Sequence, residues 1–167
     1  MEGITSRVRE RAGDVLAFVL SVYALYWVIG IVDPQVYRVS FLLIALAATF
    51  LLYPFPSGAR SGVVGATIDG LCIVLAVVAL MWPIVDFDAF VLRAATPTTV
   101  DLILGAITTL LVLDATRRTT GWILPATAAL FLIYAHFGNV LDHVGLSLIA
   151  HRGYSVPRIL GTLYMTL

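Results

Sequence analysis

The sequence predicts an all-α integral membrane protein, a bundle of four or five transmembrane helices followed by an amphipathic helix at the membrane surface. Three observations carry this. The 167 residues are 60% hydrophobic and only 12% charged, whereas soluble domains run near a quarter charged. Mean hydropathy is +1.00. The apolar residues are gathered into long runs, which a water-soluble core does not require.

The first run is Val15–Val32. At ~1.5 Å per residue it covers roughly 27 Å, close to a ~30 Å hydrocarbon layer. It follows Arg7, Arg9 and Arg11, as a secretory leader would. It is longer than the usual ~7–15 apolar residues of a leader, and Asp33-Pro34-Gln35 offers no small-x-small cleavage site. An uncleaved first span is expected, with residues 1–14 as a cytoplasmic N-terminus. The second run is Val39–Phe55, ended by a turn signal of Pro54, Pro56, Ser57 and Gly58 with Arg60 beside it. The third, Val63–Ile84, is broken only by Asp69, and Trp82 at its far end suits an interfacial aromatic belt.

A more polar stretch, Val85–Thr99, follows, in which Phe87, Phe90, Val91 and Leu92 suggest a short interfacial turn. The fourth run, Leu102–Leu113, reaches spanning length only as 100–116, with Asp101 and Asp114 at the boundaries. The fifth is Trp122–Phe137, with Pro125 in its first turn, where proline is tolerated. One continuous helix over 100–137 would bury Arg117 and Arg118 mid-bilayer, at about 2.5–3.5 kcal/mol each on the insertion scale. A hairpin with the arginine pair in its connecting turn avoids that cost, and a broken or re-entrant pair is the alternative. In the tail, Val156, Ile159, Leu160, Leu163, Tyr164 and Leu167 share one helical face, and Arg158, Gly161, Thr162 and Thr166 the other. This is the expected surface helix, and the chain stops inside it as a truncated module would.

Every basic residue is arginine. With five spans, Arg7, Arg9, Arg11, Arg60, Arg117 and Arg118 fall on one side, and Arg38, Arg93, Arg152 and Arg158 on the other. The leading three lie beside the first span, so the N-terminus is expected in the cytoplasm. Formal net charge is zero and no basic block exists, which argues against a nucleic-acid partner. Cys72, the single cysteine, reads as a small buried hydrophobe.

Few residues suggest chemistry. Asp69, an ionisable group inside an apolar run, raises an ion or proton role, against a role in packing or at the interface. Asp114 with Arg117 and Arg118 has the i,i+3 and i,i+4 spacing of a helical ion pair. That reads as a topology anchor, or as a contact with a partner domain or anionic lipid. His136, His143 and His151 lack metal-binding spacing. Gly105, Gly121 and Gly138 are expected to be close helix contacts. No cofactor is expected.

Several segments in order carry a resemblance: Ala95-Thr-Pro-Thr-Thr-Val-Asp101; Leu113-Asp114-Ala-Thr-Arg117-Arg118-Thr-Thr-Gly121-Trp122; Leu130–Phe137-Gly138; His151-Arg-Gly-Tyr-Ser155; and, earlier, Phe50-Leu-Leu-Tyr-Pro54. Together they resemble the fused permeases of TRAP transporters, the TAXI-type 4TM/12TM fusion proteins. The resemblance implies a bacterial or archaeal inner-membrane symporter that imports organic anions, often carboxylates, with sodium or protons. A periplasmic substrate-binding protein delivers the substrate. Residues 15–137 match the small Q-type scaffold, and 138–167 the linker into the large M-type region. Substrate and sodium sites belong to that large region, so no substrate-binding residue is expected here. Asp114, Arg117, Arg118, Gly121 and Trp122 carry over as a family mark of fold and domain contact. A free-standing small membrane protein with a structural or assembly role is the alternative. An intramembrane enzyme using Asp69 or the histidines is a weaker one.

Overall fold

The computed structural model of the chain describes residues 2–30, 33–55, 63–139 and 151–167. Ser57, Gly58, Arg60, His143 and Gly145 lie outside the described residues, as do the side chains of Arg7 and Arg9. The described residues form seven helices and no strand: α1 (Glu2–Ile29), α2 (Pro34–Leu52), α3 (Val63–Val85), α4 (Phe87–Leu92), α5 (Thr99–Thr120), α6 (Ile123–Phe137) and α7 (Val156–Met165). Four of them contain stretches long and apolar enough to cross a membrane: Arg11–Ile29, Pro34–Leu52, Val64–Val85 and Thr99–Thr120. Helix α6 has 15 residues, roughly 22 Å, and falls short of a hydrocarbon layer on its own. The chain divides into two compact units, Met1–Asp86 and Phe87–Leu167.

In the first unit, α1 begins at Glu2 rather than at Val15. Polar side chains mark the edge of lipid, not the end of hydrogen bonding, so the helix continues through them. Helix α2 begins five residues before its apolar run. Asp33 caps it by accepting from the Gln35 amide at 2.9 Å, and Pro34 occupies the first turn. The two helices meet through a ladder of aromatic rings. Trp27 stacks on Tyr37 at 4.5 Å, and Tyr23 lies 5.6 Å from Tyr37. Tyr23 also hydrogen-bonds Ser40 through their hydroxyls. Among the described side chains of α1, Phe18, Leu25, Val28 and Ile29 are exposed, which suits a helix whose solvent is lipid. Helices α2 and α3 pack on Val39, Leu46, Ala48 and Phe50 from one side and Ala76, Ala79 and Leu80 from the other. Alanines at this seam let the backbones approach, the usual means of helix association where lipid competes for apolar contact.

In the second unit, α5 and α6 fold back on each other. Were they collinear, Gly105 and Ala135 would stand roughly 45 Å apart. Yet the Tyr154 amide donates to the Ala135 carbonyl at 2.9 Å, and Tyr164, on the helix that follows, lies against Gly105. The mostly helical stretch between the two tyrosines spans no more than about 20 Å. A hairpin is the arrangement that closes this loop. Its turn is Gly121, at φ 81° and ψ −162°, a region essentially reserved for glycine. The expected arginine-bearing turn is corrected in one respect: Arg117 and Arg118 lie in the last turn of α5, not in the connection. The helix tolerates these polar residues, since Thr116, Thr119 and Thr120 satisfy their hydroxyls on its own carbonyls. Cations also favour a helix C-terminus.

The tail helix α7 forms where expected, but its face is turned. Gly161, assigned to the polar side, is buried with Tyr164 and Met165, while Val156 and Leu163 are exposed. A hydropathy pattern gives glycine no weight, whereas close packing selects it. The stretch before α5 is α4, whose Phe90 is buried edge-on against Tyr164 at 5.5 Å.

Candidate functional site

The α5–α6 turn holds the most concentrated charge that the structure describes. Arg117 Nε and Nη2 donate to Asp114 Oδ1 at 3.0 and 2.7 Å, and Arg118 Nε donates to Asp114 Oδ2 at 2.7 Å. One carboxylate thus takes a guanidinium on each oxygen, an arrangement that i,i+3 and i,i+4 spacing permits and charge-assisted bonding makes strong. The Arg118 side chain is 1% exposed, against 20% for Arg117 and 28% for Asp114. The Arg117 guanidinium also lies 5.3 Å from the Trp122 ring centroid, a cation–π contact across the turn. Trp122 and Ile123 are otherwise largely exposed. The cluster carries one positive charge in excess at the negative end of the α5 dipole. Gly121, expected as a helix contact, has nothing within 4 Å of where a Cβ would stand. It serves the turn instead. A Gly121→Ala substitution is expected to cost about 1–3 kcal/mol through strain alone, read as a lowered midpoint in detergent unfolding.

Asp69 sits in the second turn of α3, 9% exposed. Both of its carboxylate oxygens accept from the Phe55 amide at 3.2 Å. That bond ties the chain leaving α2 to α3 and satisfies a backbone donor next to lipid, where an unmet donor is costly. Asp69→Asn retains an acceptor and should change stability by less than about 1 kcal/mol, whereas Asp69→Leu should cost about 1–3 kcal/mol. Parallel unfolding curves of the two variants check this.

A second charged cluster was not anticipated. Asp101, placed by sequence at the membrane boundary, is fully buried. It closes a capping box with Thr98: Oδ2 accepts from the Thr98 amide at 2.9 Å and from its hydroxyl at 2.7 Å. Arg93 Nε approaches the same oxygen at 3.5 Å. Tyr164 closes over this end of α5. Burial pushes the Tyr164 phenol above its ordinary value of 10.0, and the Asp101 carboxylate adds to the shift. A phenol raised in the folded state favours folding fully below the unfolded value, and that contribution is lost as pH rises past it. Docking of α7 is therefore expected to be unaffected up to about pH 10 and to weaken above it. Tyrosinate absorbance, followed against near-ultraviolet dichroism, should show this tyrosine ionising together with loss of the contact. The pattern Thr98-Thr-Val-Asp101 is a recognisable capping signature. Arg93 and Tyr164 carried no signal short of the fold.

At the far end of α6, the segment 151–155 serves as its C-terminal cap. The His151 amide donates to the Gly138 carbonyl at 3.2 Å, and His136 Nδ1 lies 2.8 Å from the Tyr154 carbonyl. The His151 ring rests where a Gly138 side chain would be and meets Tyr134 edge-on at 4.8 Å. Gly138 is thus a close contact with a loop, and Gly105 a close contact with a helix. Among the described residues no three of His, Cys, Asp and Glu gather as a metal site would require. Cys72 is half-buried on α3.

Comparison with protein-family models, with curated proteins and with solved structures finds no match to this chain. The site is therefore read from its own geometry. It consists of charged staples at helix ends, suited to holding helices in register and to presenting a fixed surface.

Proposed function

We propose that this chain is the membrane scaffold portion of a TRAP-type secondary transporter, one that imports organic anions with sodium or proton coupling and a periplasmic binding protein. The observation that carries the reading is the helical hairpin in which Asp114, Arg117 and Arg118 close the end of α5 and Gly121 and Trp122 lead into α6. These are the residues that the resemblance carries over as a family mark of fold and domain contact. Their bonds order the last turn of α5, one cation–π contact crosses to Trp122, and Trp122 and Ile123 remain largely exposed. That is what a scaffold needs in order to brace a moving neighbour, here the large M-type region. The ordered ends of α5 and α6, each closed by its own cap, support the same role.

In this proposal the N-terminus and the α5–α6 turn face the cytoplasm of an inner membrane, and the Arg93 region faces the other side. Single cysteines at Thr120 and Ala95, both exposed, should label from opposite sides with an impermeant maleimide. Labelling of both from one side would overturn the orientation.

The transport reading is tested by uptake. Right-side-out vesicles carrying the chain with its large permease region and binding protein should accumulate radiolabelled organic acids along a sodium or proton gradient. Uptake should fail when the Asp114 cluster is broken. Absence of gradient-driven uptake across a panel of carboxylates would leave the alternative, a structural or assembly protein of the membrane.

A further inference from the structure

The second unit carries a groove of about 480 Å³ between the first turns of α7 and the segment that leads into α5. Ala94, Ala95, Pro97 and Leu102 form one wall, and Arg158 and Thr162 stand on the other. Among the described residues no acidic one lines it. We infer that this groove binds the phosphate of an anionic phospholipid headgroup, with Arg158 and Thr162 as the donors.

Both donors are uncommitted. Among the described residues the Arg158 guanidinium makes no hydrogen bond or ion pair. Its guanidinium lies 5.2 Å from the Tyr154 ring centroid. Stacking occupies the flat face of the guanidinium and leaves the N–H groups at its edge able to donate. Thr162 follows at i+4, on the same side of α7. Past the first turn, the other helical threonines with described side chains bond back to a carbonyl three or four residues earlier. Thr162 keeps its hydroxyl for something else. A lone cation, an unspent hydroxyl and an acid-free wall complement an oxyanion.

The depth of the groove selects a lipid. Gly161 lies over Pro97 and Leu102 while Tyr164 lies over Gly105. Arg158 is therefore level with Thr98, where the α5 span begins, and that is the depth of lipid headgroups. The alanine, proline and leucine wall suits the glycerol ester region of a lipid, which a fully hydrated free anion would not need. Volumes of ~300–1,000 Å³ are usual for small-ligand sites, and basic pockets beside membrane helices are a known mode of headgroup recognition. The inference rests on the membrane setting and is independent of the transport proposal.

Native mass spectrometry of the full chain, released from equal phosphatidylglycerol and phosphatidylcholine, tests it. The wild type should retain phosphatidylglycerol in about fivefold excess, as expected for one arginine at the surface of an anionic membrane. Arg158→Gln should bring the ratio near parity, and Thr162→Val should lower it about twofold. Arg158→Lys should keep most of the preference, and Arg11→Gln, on the other unit, all of it. Unchanged near-ultraviolet dichroism in the Arg158 and Thr162 variants shows that α7 stays docked. Parity in the wild type, or a preference that survives Arg158→Gln, would overturn the inference. Displacement of the lipid by millimolar glycerol 1-phosphate would overturn the lipid assignment in favour of a site for soluble phosphate esters.

Discussion

Replacing Gly105 with leucine should detach α7 from α5 and destabilise the second unit by about 3 kcal/mol or more, the upper range for overpacking a filled core. A Cβ at this position would stand 2.9 Å from the Cβ of Tyr164 and 3.2 Å from the Leu160 carbonyl oxygen. Neither neighbour is the yielding end of a long side chain. One is the root of a buried aromatic residue and the other is helix backbone, so relief requires moving α7 as a body. Moving it uncovers Tyr164, Met165 and Phe90, and opens the fully buried Asp101 with its capping box.

The readout should be selective. A cysteine placed at Met165, buried in the wild type, should become reactive to maleimide in the Gly105→Leu background. A cysteine at Leu163, already exposed, should not change. Gly105→Ala should show a smaller loss of the same kind. Gly161→Ala, whose new methyl would stand 2.8 Å from the Pro97 ring, should act on the same contact from the other helix. If Gly105→Leu leaves Met165 protected, the helix crossing described here is wrong.

How much of this was legible in advance differs by element, for physical reasons. The spans of α1, α2, α3 and α5 could be read because lipid demands long unbroken apolar stretches; the shorter apolar run of α6 reads the same way but falls short of spanning length on its own. Their ends could not, because polarity reports the edge of the bilayer while caps and backbone bonds decide where a helix stops. Asp33-Pro34 shows the confusion: it closes one apolar run and also caps the next helix. Asp114 and its two arginines could be paired from spacing alone, because partners within one helical turn need no tertiary fold. The partners of Asp101 were hidden for the opposite reason. Its boundary position gave no hint of burial: the Arg93 contact needs the α4–α5 connection to fold back, and the cover by α7 needs a helix returning from some sixty residues later. The Asp69 partner is a backbone amide at Phe55, and backbone donors leave no mark in a sequence.

Asp114→Ala should be the most damaging single truncation at the hairpin turn, at about 3–5 kcal/mol, the range for removing one partner of a buried ion pair. Its asymmetry makes it informative. Arg118 is the deeply buried member, at 1% side-chain exposure, and Asp114 supplies a 2.7 Å bond to its Nε. Removing the carboxylate leaves two guanidinium groups side by side at the end of α5, each repelling the other, with one held away from water. Arg117→Ala removes a 20% exposed partner and its contact with Trp122. It should cost only about 1 kcal/mol, as partly exposed pairs do. Asp114→Asn keeps an acceptor but not the charge and should fall between. A double-mutant cycle on Asp114 and Arg118 should return a coupling of about 1–3 kcal/mol, measured by reversible unfolding in mixed detergent. If Asp114→Ala and Arg117→Ala prove equally mild, the cluster does not hold the turn. A turn so held would have been the rigid surface against which a neighbouring transport region could move, and the scaffold reading would lose its main structural support.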